Sequence, residues 1–177
     1  QRQMCIRDRK HYDEAIELCR NAQMGDGLRL MFARYLARAY ASAGRYDRAI
    51  GLLRELLQQL AVLSRDPRFV YERLQIETLI VTWLAEAKRY DEAERFLLKR
   101  LQQSQRADLK GQYRRMLAGV YQQANRLVQA EQQLRLLYKE DPTDPGINND
   151  LGYTWADAGR NLDQAERMIR LAVGQRP

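Results

Sequence analysis

The chain has 177 residues but only one histidine and two cysteines. With His11 alone, neither a histidine-rich metal site nor a histidine-based catalytic triad can be assembled; beside Lys10 at a helix start, it reads as a solvated residue. Cys5 falls in an opening segment set aside below. Cys19 then stands alone, which excludes a disulfide framework and a thiolate cluster. Its inward helix position fits a small core residue. No apolar run approaches the ~18–20 residues of a membrane-spanning helix. No stretch alternates apolar and polar residues as a strand does. Gly25-Asp26-Gly27 is too short for a phosphate cradle, and no Gly-Lys-Ser/Thr follows it. Carboxylates are plentiful, but Asp13, Glu14, Asp91, Glu92 and Asp163 cluster at helix starts, where capping and the helix dipole account for them. The residues support no catalytic site, cofactor or metal, and the chain is not expected to be an enzyme.

What is present is charge and periodicity. The formal charge is +7, and 25 of the 30 basic residues are arginine, which suits a GC-rich genome as well as a binding role. Met4-Cys5-Ile6-Arg7-Asp8 matches the translation of a sequencing adapter, so residues 1–9 are expected to be foreign to the protein and the rest a fragment of a longer reading frame. Without them the charge falls to +5. Five times an alanine stands four residues before a larger apolar residue: Ala15/Cys19, Ala49/Leu53, Ala93/Leu97, Ala130/Leu134 and Ala165/Ile169. The alanines are 34, 44, 37 and 35 residues apart, a period that marks a stack of helical hairpins. A small residue once per repeat is where two helices approach, and the residue four on shares its face.

The helical period predicts nine helices: Lys10–Met24, Leu28–Ala43, Asp47–Leu63, Pro67–Ala87, Tyr90–Gln103, Ala107–Gln123, Leu127–Glu140, Pro145–Ala158 and Leu162–Val173. Gly25-Asp26-Gly27 and Gly44 are expected to end the first two. Asp66-Pro67 predicts a cap followed by a first helical proline, and Asp141-Pro142 another stop. No hairpin buries enough surface alone, so residues 10–177 are expected to share one continuous core in a single elongated domain.

The spacing of particular residues resembles the tetratricopeptide repeat. The last unit matches best, with Leu151-Gly152-x-x-Trp155, Gly159, Ala165, Ile169, Ala172 and Pro177, although its turn carries one extra residue. Leu117-Ala118-x-x-Tyr121 with Leu127, Ala130, Leu134 and Pro142 precedes it. Leu36-Ala37-x-x-Tyr40 with Gly44, Asp47 and Ala49 is similar. Ile80-Val81-x-x-Leu84 with Tyr90, Asp91 and Ala93 departs most, having Val81 where a small residue belongs. The resemblance implies an all-α, right-handed superhelical solenoid of antiparallel hairpins. In it Ala37, Ala118 and Gly152 let first helices pack on Ala49, Ala130 and Ala165, and Trp83 and Trp155 lie in the core. It also implies incomplete units at both ends, whose apolar end faces would associate weakly at high concentration.

By the same resemblance, first helices line a concave groove. Its residues would be Met31, Arg34, Tyr35 and Arg38, then Gln75, Thr78, Leu79 and Thr82, then Gln112, Arg115, Met116 and Gln122, and last Asn149, Asp150 and Tyr153. Arg34 and Arg38 are one turn apart, and Arg115 would approach from a neighbouring unit. Arginine forks pair with carboxylates, so an extended acidic peptide suits such a groove. The family's chaperone-tail receptors clamp a dicarboxylate with paired Lys and Asn, a pattern that Arg34/Arg38 and Thr78/Thr82 lack. The expected function is a non-catalytic protein-interaction scaffold with a protein or peptide partner. Nucleic-acid binding is the second reading, disfavoured because acids are interspersed on nearly every helix and no two-residue code recurs. A substrate-docking arm of a larger enzyme is the third.

Overall fold

The computed structural model describes residues 26–62 and 68–174, with side chains described from 31–60 and 69–174. The expected helix at 10–24, with His11, Ala15 and Cys19, lies outside these residues, as do Asp66 and Pro67. Eight helices are described: α1 (Asp26–Ser42), α2 (Tyr46–Val62), α3 (Arg68–Glu86), α4 (Tyr90–Gln103), α5 (Ala107–Gln123), α6 (Leu127–Glu140), α7 (Pro145–Asp157) and α8 (Leu162–Gly174). No strand occurs among the described residues. Asp26 and Gly27, expected in a turn, open α1 instead. The expected end at Leu63 and start at Pro67 lie outside the described residues, and the other boundaries fall within one residue of expectation.

The helices gather into two compact units, residues 1–87 and 88–177. In the first, α1 pairs with α2 and α2 with α3. Ala37 and Ala49 are fully buried, along with Leu53, Ile76, Ile80 and Leu84. Glu77 is the buried charge of this core, held by Arg73 one turn earlier at 3.1 Å. In the second unit α4 to α8 each pack on the next in chain order. Its central cluster joins Ala118, Leu134, Leu137, Ile147, Leu151, Trp155, Ala165 and Met168, with Tyr138 packed against it.

The need for a small residue is most visible at Gly152. A Cβ there would stand 2.8 Å from Ile169 Cγ1 and 3.0 Å from the Ala165 carbonyl oxygen, so α7 and α8 touch backbone to backbone. The turns repeat too. Gly44, Asn125 and Gly159 all take positive φ (72°, 57° and 63°). In each turn the next residue, always arginine, donates its N–H back to a helix carbonyl: Arg45 to Tyr40, Arg126 to Tyr121, Arg160 to Trp155, at 2.7–2.9 Å. This is the left-handed helix stop that glycine and asparagine favour. Lys88 holds the same conformation at φ 58°, without glycine's freedom. The extra residue expected in the last turn is Asn161, itself at φ 51°.

Candidate functional site

On α1, Met31, Arg34, Tyr35 and Arg38 recur at helical spacing and line a surface recess of about 140 Å³. Met31 and Tyr35 are large side chains left in solvent, Tyr35 at 55% exposure. Phe32 meets the Tyr35 ring edge-on, centroids 6.4 Å apart, which restrains where the tyrosine can point. The two arginines differ. Arg34 donates to Glu72 at 2.5 Å and to Gln75 at 2.8 Å, both on α3. Its guanidinium is thus neutralised and oriented by the neighbouring helix. Arg38 is exposed and makes no ion pair among the described residues. The recess therefore offers one free cation, one restrained cation, an aromatic ring and a thioether. That set suits a segment carrying one carboxylate beside an apolar side chain.

The remaining expected groove residues divide. Thr82 is exposed; Thr78 turns its hydroxyl to the Leu74 carbonyl at 2.8 Å, within its own helix. Arg115 is engaged inside the second unit, donating to Asp144 Oδ2 at 2.9 Å. Asp144 caps α7 with its other oxygen, accepting from the Ile147 N–H at 2.9 Å, and Pro145 opens the helix. Gly146 leaves room for the guanidinium, since a Cβ there would stand 2.7 Å from Arg115 Nη1. Burial pushes the Asp144 carboxyl upward, but the Ile147 N–H and Arg115 outweigh it and hold it below the usual carboxylate range. Arg115 is therefore a helix anchor.

Gln122 is structural as well. Its amide donates to Thr154 Oγ1 at 2.9 Å and to the Asp150 carbonyl at 3.4 Å, tying α5 to α7. Met116 is half-buried, and Asn149 is half-buried beside Asp150 at 3.3 Å. Tyr153 stays 51% exposed. Sequence reasoning missed Glu72, the partner that fixes Arg34. Its signal was present: Glu72 lies three residues before Gln75, hence on the same face of α3. Asn148 was also missed; buried at 1% exposure, it donates to the Pro142 and Asp144 carbonyls and holds the loop before α7.

A second polar constellation lies at the turns of the second unit. Arg126 donates to Glu94 at 2.9 Å and to Asp91, and the Tyr121 hydroxyl donates to Glu94 at 2.8 Å. Burial and the adjacent Glu94 push the Tyr121 phenol up to about 12, while the hydrogen bond from Arg126 lowers Asp91. Arg160 reaches Glu131 at 2.9 Å. Among the described residues no group of three His, Cys, Asp or Glu is placed to hold a metal ion, and no helix is long and apolar enough to cross a membrane.

Hairpins of this length, stopped by left-handed turns and packed through one small residue each, define an all-α fold of the tetratricopeptide-repeat type. Solved structures agree. One described as MamA MSR-1 is 18% identical, with 98% of this chain and 92% of that chain covered and a TM-score of 0.56. The TPR-like repeats of a Podosopora anserina putative kinesin light chain are 17% identical over 99% of this chain and 95% of that one, at 0.63. A second MamA structure is 14% identical, covering 95% and 90%, at 0.60. No family model matches the chain, and no curated protein does.

Proposed function

We propose that the chain is a non-catalytic protein-interaction scaffold that holds an extended peptide segment against α1, with Met31, Tyr35 and Arg38 as its contacts. The observation that carries this reading is the recess on α1, where large exposed side chains surround an arginine that has no acidic partner among the described residues. Arg34 acts as a positioned neighbour whose charge Glu72 already balances. The expected partner is accordingly a segment with a single well-placed carboxylate, and a long acidic run is not required. Tyr153 and Thr82 remain available as further contacts. Weak self-association through end faces belongs to the same proposal; a strictly monomeric mass at millimolar concentration would count against it.

Nucleic-acid binding is less well supported. Arg34, Arg89, Arg106, Arg115, Arg126, Arg160 and Arg170 each sit within 3 Å of a carboxylate, which places a negative charge beside each of these cations where a phosphate backbone would approach.

The test is to pan a random peptide display library on nuclease-treated protein, with wild type and Arg38→Ala in parallel. Arg38→Ala is preferable to a double substitution, because Arg34→Ala also severs the tie to α3. Enrichment of a carboxylate-bearing motif on wild type, lost on Arg38→Ala, is expected. The affinity of an enriched peptide should fall about tenfold, as for a charge-assisted hydrogen bond of about 1.4 kcal/mol. Equal enrichment on both proteins would reject the α1 site.

A further inference from the structure

Two arginines, Arg34 and Arg38, line the recess on α1 one helical turn apart. Four residues of helix separate their backbone positions by about 6 Å. In an extended segment, side chains two residues apart point to the same side and stand about 7 Å apart. Two free arginines at this spacing would suit a segment with acids at alternate positions, one for each guanidinium.

The neighbouring helix alters that match. Arg34 Nη1 donates to Glu72 Oε1 at 2.5 Å, and Nη2 donates to Gln75 Oε1 at 2.8 Å. Both terminal nitrogens of the fork are therefore in use, by residues on one face of α3. The pair is open to a ligand nonetheless, since the Arg34 and Glu72 side chains are 25% and 30% exposed. A ligand acid drawn to Arg34 must stand beside the Glu72 carboxylate or displace it. Beside it, two like charges share one guanidinium; displacement leaves Glu72 without its cation. Either way affinity is lost. Arg38, exposed and without an ion pair among the described residues, imposes no such penalty.

We propose that Glu72 is the specificity-determining residue of the recess: it admits a segment with one acid, at Arg38, and rejects a second acid two residues away, at Arg34. The inference rests on the α1 recess being the peptide site, and it narrows the partner to segments in which an acid is followed or preceded, two residues off, by a neutral residue. Glu72 acts as an internal carboxylate that already holds the place of the second acid. Gln75 fixes the other end of the Arg34 fork without adding charge, so the selectivity resides in a single side chain of α3.

The test uses two displayed peptide libraries, with random residues flanking Asp-x-Ser or Asp-x-Asp, panned on wild type, Glu72→Gln, Gln75→Glu and Arg38→Ala. Affinities are then measured for enriched peptides and for their counterparts with only the Ser or second Asp exchanged. Wild type should favour Asp-x-Ser. Glu72→Gln keeps an oxygen to accept from Arg34 but removes the charge, and should shift the affinity ratio about tenfold toward Asp-x-Asp. Gln75→Glu adds a second carboxylate at Arg34 and should shift the ratio the other way. Both shifts should shrink in about 1 M salt, where the screening length is about 3 Å. A ratio unmoved by Glu72→Gln, or moved in the same direction by both variants, would overturn the role of Glu72; if Arg38→Ala still abolished binding, the recess itself would stand. Equal binding by Arg38→Ala, or no enrichment on any of the four proteins, would overturn both.

Discussion

The two units are built from the same hairpin but tie their helices in different places. In the first, the principal polar tie runs between first helices, from Arg34 on α1 to Glu72 and Gln75 on α3. At the register where the second unit places Glu94, Glu131 and Glu166, α2 places Ile50, which is 2% exposed. The second unit links its turns to preceding helices through Arg126 and Arg160, and its first helices through Gln122 and Thr154. One backbone thus tolerates two solutions to the same packing problem. The consequence is functional. Arg115, Gln122 and Asn149 are engaged within the second unit, whereas α1 leaves Met31, Tyr35 and Arg38 facing solvent.

The largest effect that can break this comparison is steric. Gly152→Val would drive side-chain atoms into Ile169 and the Ala165 carbonyl, and should destabilise α7 and α8 by about 3 kcal/mol. Because repeat contacts are local, amide exchange should accelerate there while α1 and α2 keep their protection. Equal loss in both places would show that the two regions unfold as one.

A smaller effect tests the turn linkage. Arg126→Ala should lower the thermal midpoint and remove the part of the second unit's acid sensitivity that Asp91 supplies. Asp91 is lowered by the hydrogen bond from Arg126, and Asp141 by bonds from Thr143. A carboxyl lowered on folding contributes stability above its ordinary value near 4 and loses it as pH falls through the lowered value. Protection of α4 to α7 against exchange, relative to the intrinsic rate at each pH, should therefore fall in wild type as pH drops below about 4. Tyr121 works in the opposite sense: its raised value means stability present below about pH 10 and lost as pH climbs toward 12. A midpoint for Arg126→Ala identical to wild type across this range would reduce the linkage to a surface ornament.

The smallest effect runs toward stability. Lys88 holds a left-handed turn position that glycine fills at residues 44 and 159. Lys88→Gly should stabilise the protein by about 1 kcal/mol. Urea denaturation measures it, and a loss of stability would mean that the lysine side chain makes a contact worth more than the strain.

Reading the helices from sequence succeeded because the relevant signals are local. Asp141-Pro142, Gly44 and Gly159 mark boundaries through backbone geometry that neighbouring residues cannot change. Ala37, Ala118 and Gly152 stood out because close helix approach admits no larger side chain. The error at Asp26-Gly27 has the same origin, since a Gly-Asp-Gly run favours a turn only until a helix start absorbs it. The site was harder to read. Arg34, Arg38 and Arg115 have the same side chain, and nothing near them in sequence tells them apart.

The sequence by itself determined the repeat, most boundaries of the described helices, the glycine stops at residues 44 and 159 and the small residues at 37, 118 and 152, because all of these are set within one or two turns of chain. Only the tertiary structure decided which arginine is free. Glu72 lies 38 residues from Arg34, and Asp144 29 residues from Arg115. Whether a cation faces a ligand or a carboxylate depends on which helices packing brings together, and that depends on the whole array.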